Sequence, residues 1–136
     1  MPSSTTLSDI LRVLLVDDNE AMLARAAAVL TPACEVIGIA SDGPSALKAA
    51  DTLHPDVIVL DISMPGMTGL EVATRLRKAG SKAAVVFLTV HSEEDLREAA
   101  LSAGGIGYVL KARLASDLMV AVQEARAGRT FISSPP

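Results

Sequence analysis

The sequence predicts an α/β protein in which helices cover both faces of a doubly wound, five-stranded parallel sheet. Short runs of branched apolar residues alternate along the chain with longer stretches whose apolar residues recur at helical spacing. The short runs lack polar–apolar alternation, which is typical of strands buried on both faces of a sheet. Ala, Val and Leu dominate, with two Phe, one Tyr and no Trp. This composition favours helices packed on a sheet over an aromatic-rich sandwich.

Five apolar runs are too short to be helices, and we predict that each forms a buried strand. The predicted strands are residues 12–16, 35–40, 57–60, 83–88 and 106–110. Turn-forming residues mark two of the breaks, since Pro55 precedes the third strand and Gly104-Gly105 precedes the fifth. Helices between parallel neighbours require right-handed crossovers, which produce the doubly wound arrangement.

Boundary residues define the helices between these strands. The predicted helices are residues 19–30, 43–53, 68–79, 92–103 and 114–127. Pro32 ends the first helix, and Pro44 stands at the first position of the second, where proline is favoured. Thr68 and Glu71 form a capping box at the start of the third. Residues 92–95 cap the fourth.

One domain accounts for the chain, because 136 residues, half of them apolar, supply a single ample core. We expect a loose segment over 1–10, a folded domain over 11–130, and a tail or the start of a linker over 131–136. The first residues have neither the basic head nor the apolar core of a secretory signal, and no apolar run reaches the roughly 18 residues of a membrane span. We therefore expect a cytoplasmic protein that does not contact membranes.

Charge and cysteine content exclude several function classes. The net charge is −4 and no basic stripe is visible, so we expect no direct nucleic-acid binding by this segment. Cys34 is the only cysteine, which excludes an internal disulfide and a cysteine-based metal cage. We interpret it as a small buried residue in a strand.

Polar residues follow four of the five predicted strands. Asp17-Asp18, Asp61, Thr89 and Lys111 each stand where an apolar run ends. Because the carboxyl ends of parallel strands meet at one edge of the sheet, these residues should form one site. Two unit charges about 4 Å apart cost roughly 4 kcal/mol at an effective dielectric of 20. Clustered carboxylates therefore need the amine and a cation such as Mg²⁺.

The chain resembles a response-regulator receiver domain, the phosphoacceptor half of bacterial two-component signalling. The matching stretches are residues 13–19 (VLLVDDN), 56–71 (DVIVLDISMPGMTGLE), 88–89 (LT) and 107–111 (GYVLK). They occur in the order and at the spacing of that family, and the match covers about residues 10–130. The sequence around 103–111 and at 127–128 is similar to the branch that carries a C-terminal LuxR-type helix-turn-helix, so the resemblance implies control of a DNA-binding effector.

The resemblance implies a phosphoacceptor site with Mg²⁺ as its cofactor. Asp61 would be the nucleophile that takes the phosphoryl group, and Lys111 would pair with it and later with a phosphoryl oxygen. Asp18, Asp61 and the backbone carbonyl of Ser63 would hold Mg²⁺, with Asp17 acting through metal-bound water. The domain would catalyse only its own phosphorylation and dephosphorylation, so it would not be an enzyme in the usual sense.

The resemblance also implies a switch and partners. Thr89 would bond a phosphoryl oxygen and Tyr108 would change rotamer when Thr89 moves, while Ser63 and His91 would tune the lifetime of the phosphoryl group. A cognate histidine kinase and a homodimer formed on phosphorylation are the expected partners. Ala112 follows the site lysine where many members carry a proline in cis linkage, and the sequence leaves the isomer of that bond open.

Three other classes share parts of the pattern. A phosphatase of the haloacid-dehalogenase type also uses an aspartate after a strand, but it needs a second acid where this chain has Ser63. A flavodoxin-like cofactor binder shares the expected strand order 2-1-3-4-5, although Asp17 and Asp18 have the wrong charge for a phosphate-binding loop. An interaction module could keep the fold without the phosphoryl chemistry.

Overall fold

The computed structural model describes residues 10–134 and shows a parallel sheet between two helical layers. Its elements are β1 (Leu11–Val16), α1 (Glu20–Leu30), β2 (Cys34–Ala40), α2 (Gly43–Leu53), β3 (Val57–Leu60), α3 (Gly69–Lys78), β4 (Ala84–Thr89), α4 (Glu94–Ser102), β5 (Gly105–Leu110), a 3₁₀ turn (Lys111–Arg113), α5 (Leu114–Arg126) and β6 (Phe131–Ile132). The strand order is β2-β1-β3-β4-β5-β6 and every neighbouring pair is parallel. The predicted fold class and the order of the first five strands are confirmed.

Alternate residues of each central strand enter two separate cores, because successive side chains point to opposite faces of a sheet. On one face, Ile58 and Phe87 pack with α2, α3 and α4. On the other, Val59 and Val86 pack with α1 and α5. All four of these strand side chains are buried. Both faces of the strands are therefore apolar, which explains their continuous apolar sequence.

The helices begin largely where their boundary residues predict. Asn19 and Thr68 each accept a hydrogen bond from the backbone three residues on, at the starts of α1 and α3. The capping box at α3 is incomplete. The Glu71 carboxylate lies 3.9 Å from Arg75 and, within residues 10–134, accepts no hydrogen bond from the Thr68 backbone amide. The side-chain cap predicted for α4 is wrong. Its N-cap, Glu93, makes no side-chain cap bond, because a glutamate side chain is longer than those that reach the first backbone amides.

The sheet extends beyond the predicted five strands. Phe131 and Ile132, which we expected in a tail or linker, form β6 and pair with Gly107 and Tyr108. Most of the loose segment expected over 1–10 lies outside the described residues. The Lys111–Ala112 bond is trans. Within residues 10–134, no helix is long and apolar enough to cross a membrane.

Candidate functional site

The register of the sheet brings the predicted site residues to one edge. Val16 pairs with Leu60, so the residues that follow them, Asp17 and Asp61, leave neighbouring strands at the same level. The backbone amide of Asp61 donates to the carbonyl oxygen of Val16 at 3.0 Å and continues the ladder by one residue. Thr89 ends β4 opposite the last residue of β5. The predicted assembly of strand ends is therefore present.

Lys111 contacts two of the carboxylates. Its Nζ lies 2.9 Å from Asp17 Oδ2 and 3.5 Å from Asp61 Oδ2. The sequence predicted pairing with Asp61, and the structure shows the shorter contact with Asp17. Asp17 Oδ2 is nevertheless buried without a hydrogen bond of ordinary geometry, so its contact with Lys111 is an ion pair with poor direction.

Asp61 is a buried acid in an unfavourable electrostatic environment. Only 4% of the residue is exposed. Burial, and then the neighbouring charge of Asp17, raise the pKa of Asp61 to about 6, against the opposing effect of Lys111 and of the Ser63 backbone amide. The amide of Ser63 lies 3.3 Å from Asp61 Oδ1. The ionised form of a carboxylate held this way is stabilised when a positive charge binds beside it.

The donor set fits a hard divalent cation. One oxygen from each of Asp17, Asp18 and Asp61 lies within 4.8 Å of the others. Asp17 and Asp61 are buried while Asp18 is exposed, so the cluster opens to solvent on one side. Mg²⁺ prefers one or two carboxylates together with waters and substrate oxygens. The buried Asp17 oxygen, which contacts the Lys111 amine but makes no hydrogen bond of ordinary geometry, is the observation that matches these residues to such an ion.

The backbone of His91 connects Thr89 with Tyr108. The amide of His91 donates to Thr89 Oγ1 at 3.1 Å, and its carbonyl oxygen accepts from the Tyr108 hydroxyl at 2.8 Å. Thr89 and Tyr108 are both buried, so the tyrosine ring points inward. Burial raises the pKa of Tyr108, which keeps the hydroxyl protonated as a donor. The two predicted switch residues are therefore joined through the backbone of one residue, His91.

The ring of His91 lies between a serine and an acid. Its Nε2 is 2.7 Å from Ser63 Oγ, and its Nδ1 is 3.5 Å from Glu93 Oε2. The contact with Ser63 brings together the two residues that the sequence singled out for lifetime tuning. Glu93 was not predicted. The one sequence feature that points to Glu93 is its spacing from Thr89 and His91. Alternate residues of an extended segment share a face, so these three side chains should lie on the same side of the loop.

Gly69 supports the loop that follows Asp61. A Cβ on Gly69 would lie 2.1 Å from the carbonyl oxygen of Asp61. The backbone amide of Gly69 donates to the Ile62 carbonyl oxygen at 2.8 Å. Helix α3 therefore begins in direct contact with the backbone of the candidate acceptor loop. Glycine is required at this close approach, which the sequence analysis did not identify.

A groove of about 1150 Å³ lies at the opposite edge of the sheet. Leu11, Pro55 and Ala84, at or near the starts of their strands, line it together with the ends of α2, α3 and α5. It includes none of the predicted site residues. The acidic site, with donor oxygens within 4.8 Å of one another and Asp18 exposed, suits a small ion and a phosphoryl group.

The chain matches a known family over most of its length. The family described as "Response regulator receiver domain" matches residues 13–123. The nitrate/nitrite response regulator protein NarL of Escherichia coli (strain K12) is 35% identical over 123 residues, which cover 89% of this chain and 57% of that protein. The chain spans about 57 to 60% of the length of the curated relatives it matches.

Solved structures share the fold at high similarity. The signal receiver domain of the putative response regulator NarL from Mycobacterium tuberculosis has a TM-score of 0.85 and 31% identity, covering 88% of this chain and 98% of that chain. A LuxR-family two-component response regulator from Aurantimonas sp. SI85-9A1 has a TM-score of 0.87 and 28% identity, covering 92% and 91%. The order and placement of the strands therefore agree with those of receiver domains.

Proposed function

Because this chain belongs to the response regulator receiver domain family, we propose that Asp61 is the acceptor of a phosphoryl group in a two-component system. A histidine kinase would supply the group, and transfer would switch the surface of the domain. The similarity to LuxR-family regulators supports a DNA-binding output in the whole protein. The acidic net charge of this segment supports a protein surface, rather than nucleic acid, as its own direct partner.

The position of Asp61 carries the proposal. Its carboxylate is buried beside Asp17, with the Lys111 amine 3.5 Å away. A carboxylate nucleophile needs no general base once it is ionised. In-line phosphoryl transfer mostly requires positioning and charge neutralisation, and a fixed strand end with an ammonium group at contact distance supplies both.

The transfer step is a nucleophilic displacement at phosphorus. An Asp61 oxygen forms the new P–O bond while the P–N bond to the donor histidine breaks, and the imidazole leaves with a proton from solvent. Lys111 follows the charge onto a phosphoryl oxygen as a mobile cation. Thr89 donates its hydroxyl hydrogen to another phosphoryl oxygen while still accepting from the His91 amide.

Asp18, Asp61 and the Ser63 carbonyl would hold Mg²⁺, with Asp17 acting through a water. When bound, the ion neutralises charge on the transferring group. The close approach of the three carboxylates supports this assignment. Lys111 alone leaves two formal negative charges in the cluster, which one divalent cation would neutralise.

The contacts of His91 support the proposed switch and lifetime roles. A Thr89 side chain drawn toward the phosphoryl group would pull on the His91 amide, and the His91 carbonyl would carry that movement to the Tyr108 hydroxyl. Ser63 and His91, hydrogen-bonded to each other beside the acceptor, would control which water reaches phosphorus. Phosphorylation would then shift the equilibrium between two packings of this loop, and the favoured packing would form a homodimer.

The decisive experiment is phosphorylation by a small donor. Incubation with acetyl phosphate and Mg²⁺ should add about 80 Da, one phosphoryl group on one aspartate, and Asp61→Asn should abolish the adduct. Asp51→Asn is the matched control, because Asp51 is exposed on α2 and its loss should leave the adduct unchanged. Chelation of Mg²⁺ should prevent the reaction.

Three results would contradict the proposal. An adduct that persists in Asp61→Asn would move the acceptor elsewhere. Many turnovers of p-nitrophenyl phosphate per protein would favour the phosphatase class, which a self-limiting acceptor does not match. Absence of any adduct with small donors and with a phosphorylated histidine kinase would favour an interaction module.

A further inference from the structure

Asp117 is a buried carboxylate outside the acidic cluster, near the start of α5. Only 8% of the residue is exposed. It accepts hydrogen bonds from Ser133 Oγ at 2.7 Å, Ser116 Oγ at 2.9 Å and Arg113 Nε at 3.0 Å. Burial alone would raise the pKa of Asp117, but these three donors outweigh it and lower the pKa. Asp117 is therefore ionised and fully engaged at neutral pH.

Ser133 extends this network into the sheet. Its residue is 4% exposed, and its Oγ accepts from the backbone amide of Leu110 at 3.2 Å while donating to Asp117. Its own amide donates to the Tyr108 carbonyl oxygen at 2.8 Å. The segment after β6 is thus fastened to the last residues of β5 by both backbone and side chain.

The two branches of the hydrogen-bond network reach the chain on either side of Lys111. Leu110, held through Ser133, directly precedes it, and Arg113, held by Asp117, ends the 3₁₀ turn that begins with it. Both branches converge on Asp117 Oδ2. One carboxylate is therefore linked to both flanks of Lys111, through the Ser133 hydroxyl on one side and the Arg113 side chain on the other.

Holding the backbone of the Lys111–Arg113 turn in place matters because little else restrains it. The turn Lys111–Arg113 has no side-chain cap bond at its start, and Ala112 leaves its φ angle unrestrained where a proline would lock it. Ordering a lysine side chain costs rotamer entropy. An amine that must contact two carboxylates therefore benefits from a backbone that is already in place.

We propose that Ser133 and Asp117 are positioning residues for phosphoryl transfer, acting through Lys111. The hydrogen bonds that Asp117 accepts from Ser133 and Arg113 hold the Lys111 turn so that the Lys111 amine faces Asp17 and Asp61. The segment after α5 then contributes to phosphoryl capture, and a change in that segment reaches the acceptor through Lys111. This inference rests on the proposed phosphoacceptor function.

The test compares Ser133→Ala with Ser134→Ala, its exposed neighbour, in the full chain. The measured quantity is the rate of adduct formation with acetyl phosphate and Mg²⁺, followed by intact mass. We expect Ser133→Ala to slow the reaction about fivefold, because displacement of a reacting group by a fraction of an ångström is costly, and Ser134→Ala to leave the rate unchanged. Failure of the unsubstituted chain to form the adduct would refute the proposed function, whereas equal rates in all three proteins would refute only this inference.

A double-mutant cycle separates positioning from a general loss of stability. In a Lys111→Ala background, Ser133→Ala should change the rate less than twofold, because both substitutions act through one amine. An equal fivefold loss in both backgrounds would overturn the proposal. Asp117→Asn, which keeps the side-chain volume, replaces Ser133→Ala if the latter is not fully folded by circular dichroism.

A spectroscopic measurement decides the matter even if Lys111→Ala forms no adduct. The ¹³C shift of Lys111 Cε should move in Ser133→Ala and in Asp117→Asn and stay in place in Ser134→Ala. Unchanged Lys111 Cε shifts in both variants would show that the network fastens only the chain terminus.

Discussion

Asp61→Asn should stabilise the folded protein at neutral pH in the absence of Mg²⁺. Burial, and then the charge of Asp17, raise the pKa of Asp61 to about 6 from an ordinary value of 3.8. A rise of this size corresponds to about 3 kcal/mol of destabilisation wherever the carboxylate is ionised in both the folded and unfolded states. Asparagine keeps the shape and removes the charge, so we expect a gain of about 1–3 kcal/mol in the free energy of unfolding.

The size of the effect depends on pH. Between about pH 4 and pH 6, the folded protein holds a proton on Asp61 that the unfolded chain has lost, so the stability contributed by this group falls as the pH rises. Above about pH 6 the full destabilisation is present, and at or below about pH 4 it is largely absent. The advantage of Asp61→Asn should therefore appear across this window and be small at its acidic end.

Urea unfolding in the presence of a chelator measures the difference. Midpoints are compared at pH 7.5 and at pH 4.0 for the unsubstituted protein, Asp61→Asn and the exposed control Asp51→Asn, with equal slopes as the condition for comparison. Asp51→Asn should track the unsubstituted protein at both pH values. Equal stability of Asp61→Asn and the unsubstituted protein at pH 7.5, or a gain that is just as large at pH 4.0, would refute the electrostatic reasoning.

Three further outcomes follow from other contacts. Gly69→Ala places a Cβ 2.1 Å from the Asp61 carbonyl oxygen and should lower the free energy of unfolding by about 1–3 kcal/mol through overpacking, measured by thermal denaturation against the exposed control Asp51→Asn. Tyr108→Phe removes the donor to the His91 carbonyl oxygen and should cost about 1 kcal/mol, while adduct formation by intact mass should continue. Mg²⁺ at a hundred times its dissociation constant should raise the free energy of unfolding by about 2.7 kcal/mol in the unsubstituted protein and by much less in Asp18→Asn, as measured by urea unfolding with and without the ion.

The local pattern of the sequence predicts the strands and the strand-end residues well. Runs such as Val57 to Leu60 are buried on both faces, so their composition alone identifies them as central strands. Once the strands are parallel and adjacent, Asp17 and Asp61 must leave the same edge. Proximity of the carboxylates is thus a consequence of topology and needs no knowledge of side-chain conformations.

Contacts between distant segments were beyond such reasoning. β6 has only two residues, too few for any periodicity, and it is held by the bonds of Ser133 to the backbone of β5 and to Asp117. The closer approach of Lys111 to Asp17 than to Asp61 depends on a rotamer. The bond between Ser63 and His91 joins residues 28 positions apart, and no spacing rule predicts it.

The electrostatics that destabilise this edge of the sheet also make it suitable for phosphoryl chemistry. Three carboxylates and one ammonium group leave two formal negative charges in a cluster whose members are mostly buried. Because solvent screens such charges poorly, each incoming positive charge interacts more strongly there than on an exposed surface. Replacing Asp61 would raise the free energy of unfolding, but it would remove the charge that attracts a cation and the oxygen that attacks phosphorus. The apolar cores on both faces of the sheet offset this repulsion, so a strained acidic edge is compatible with a stable domain.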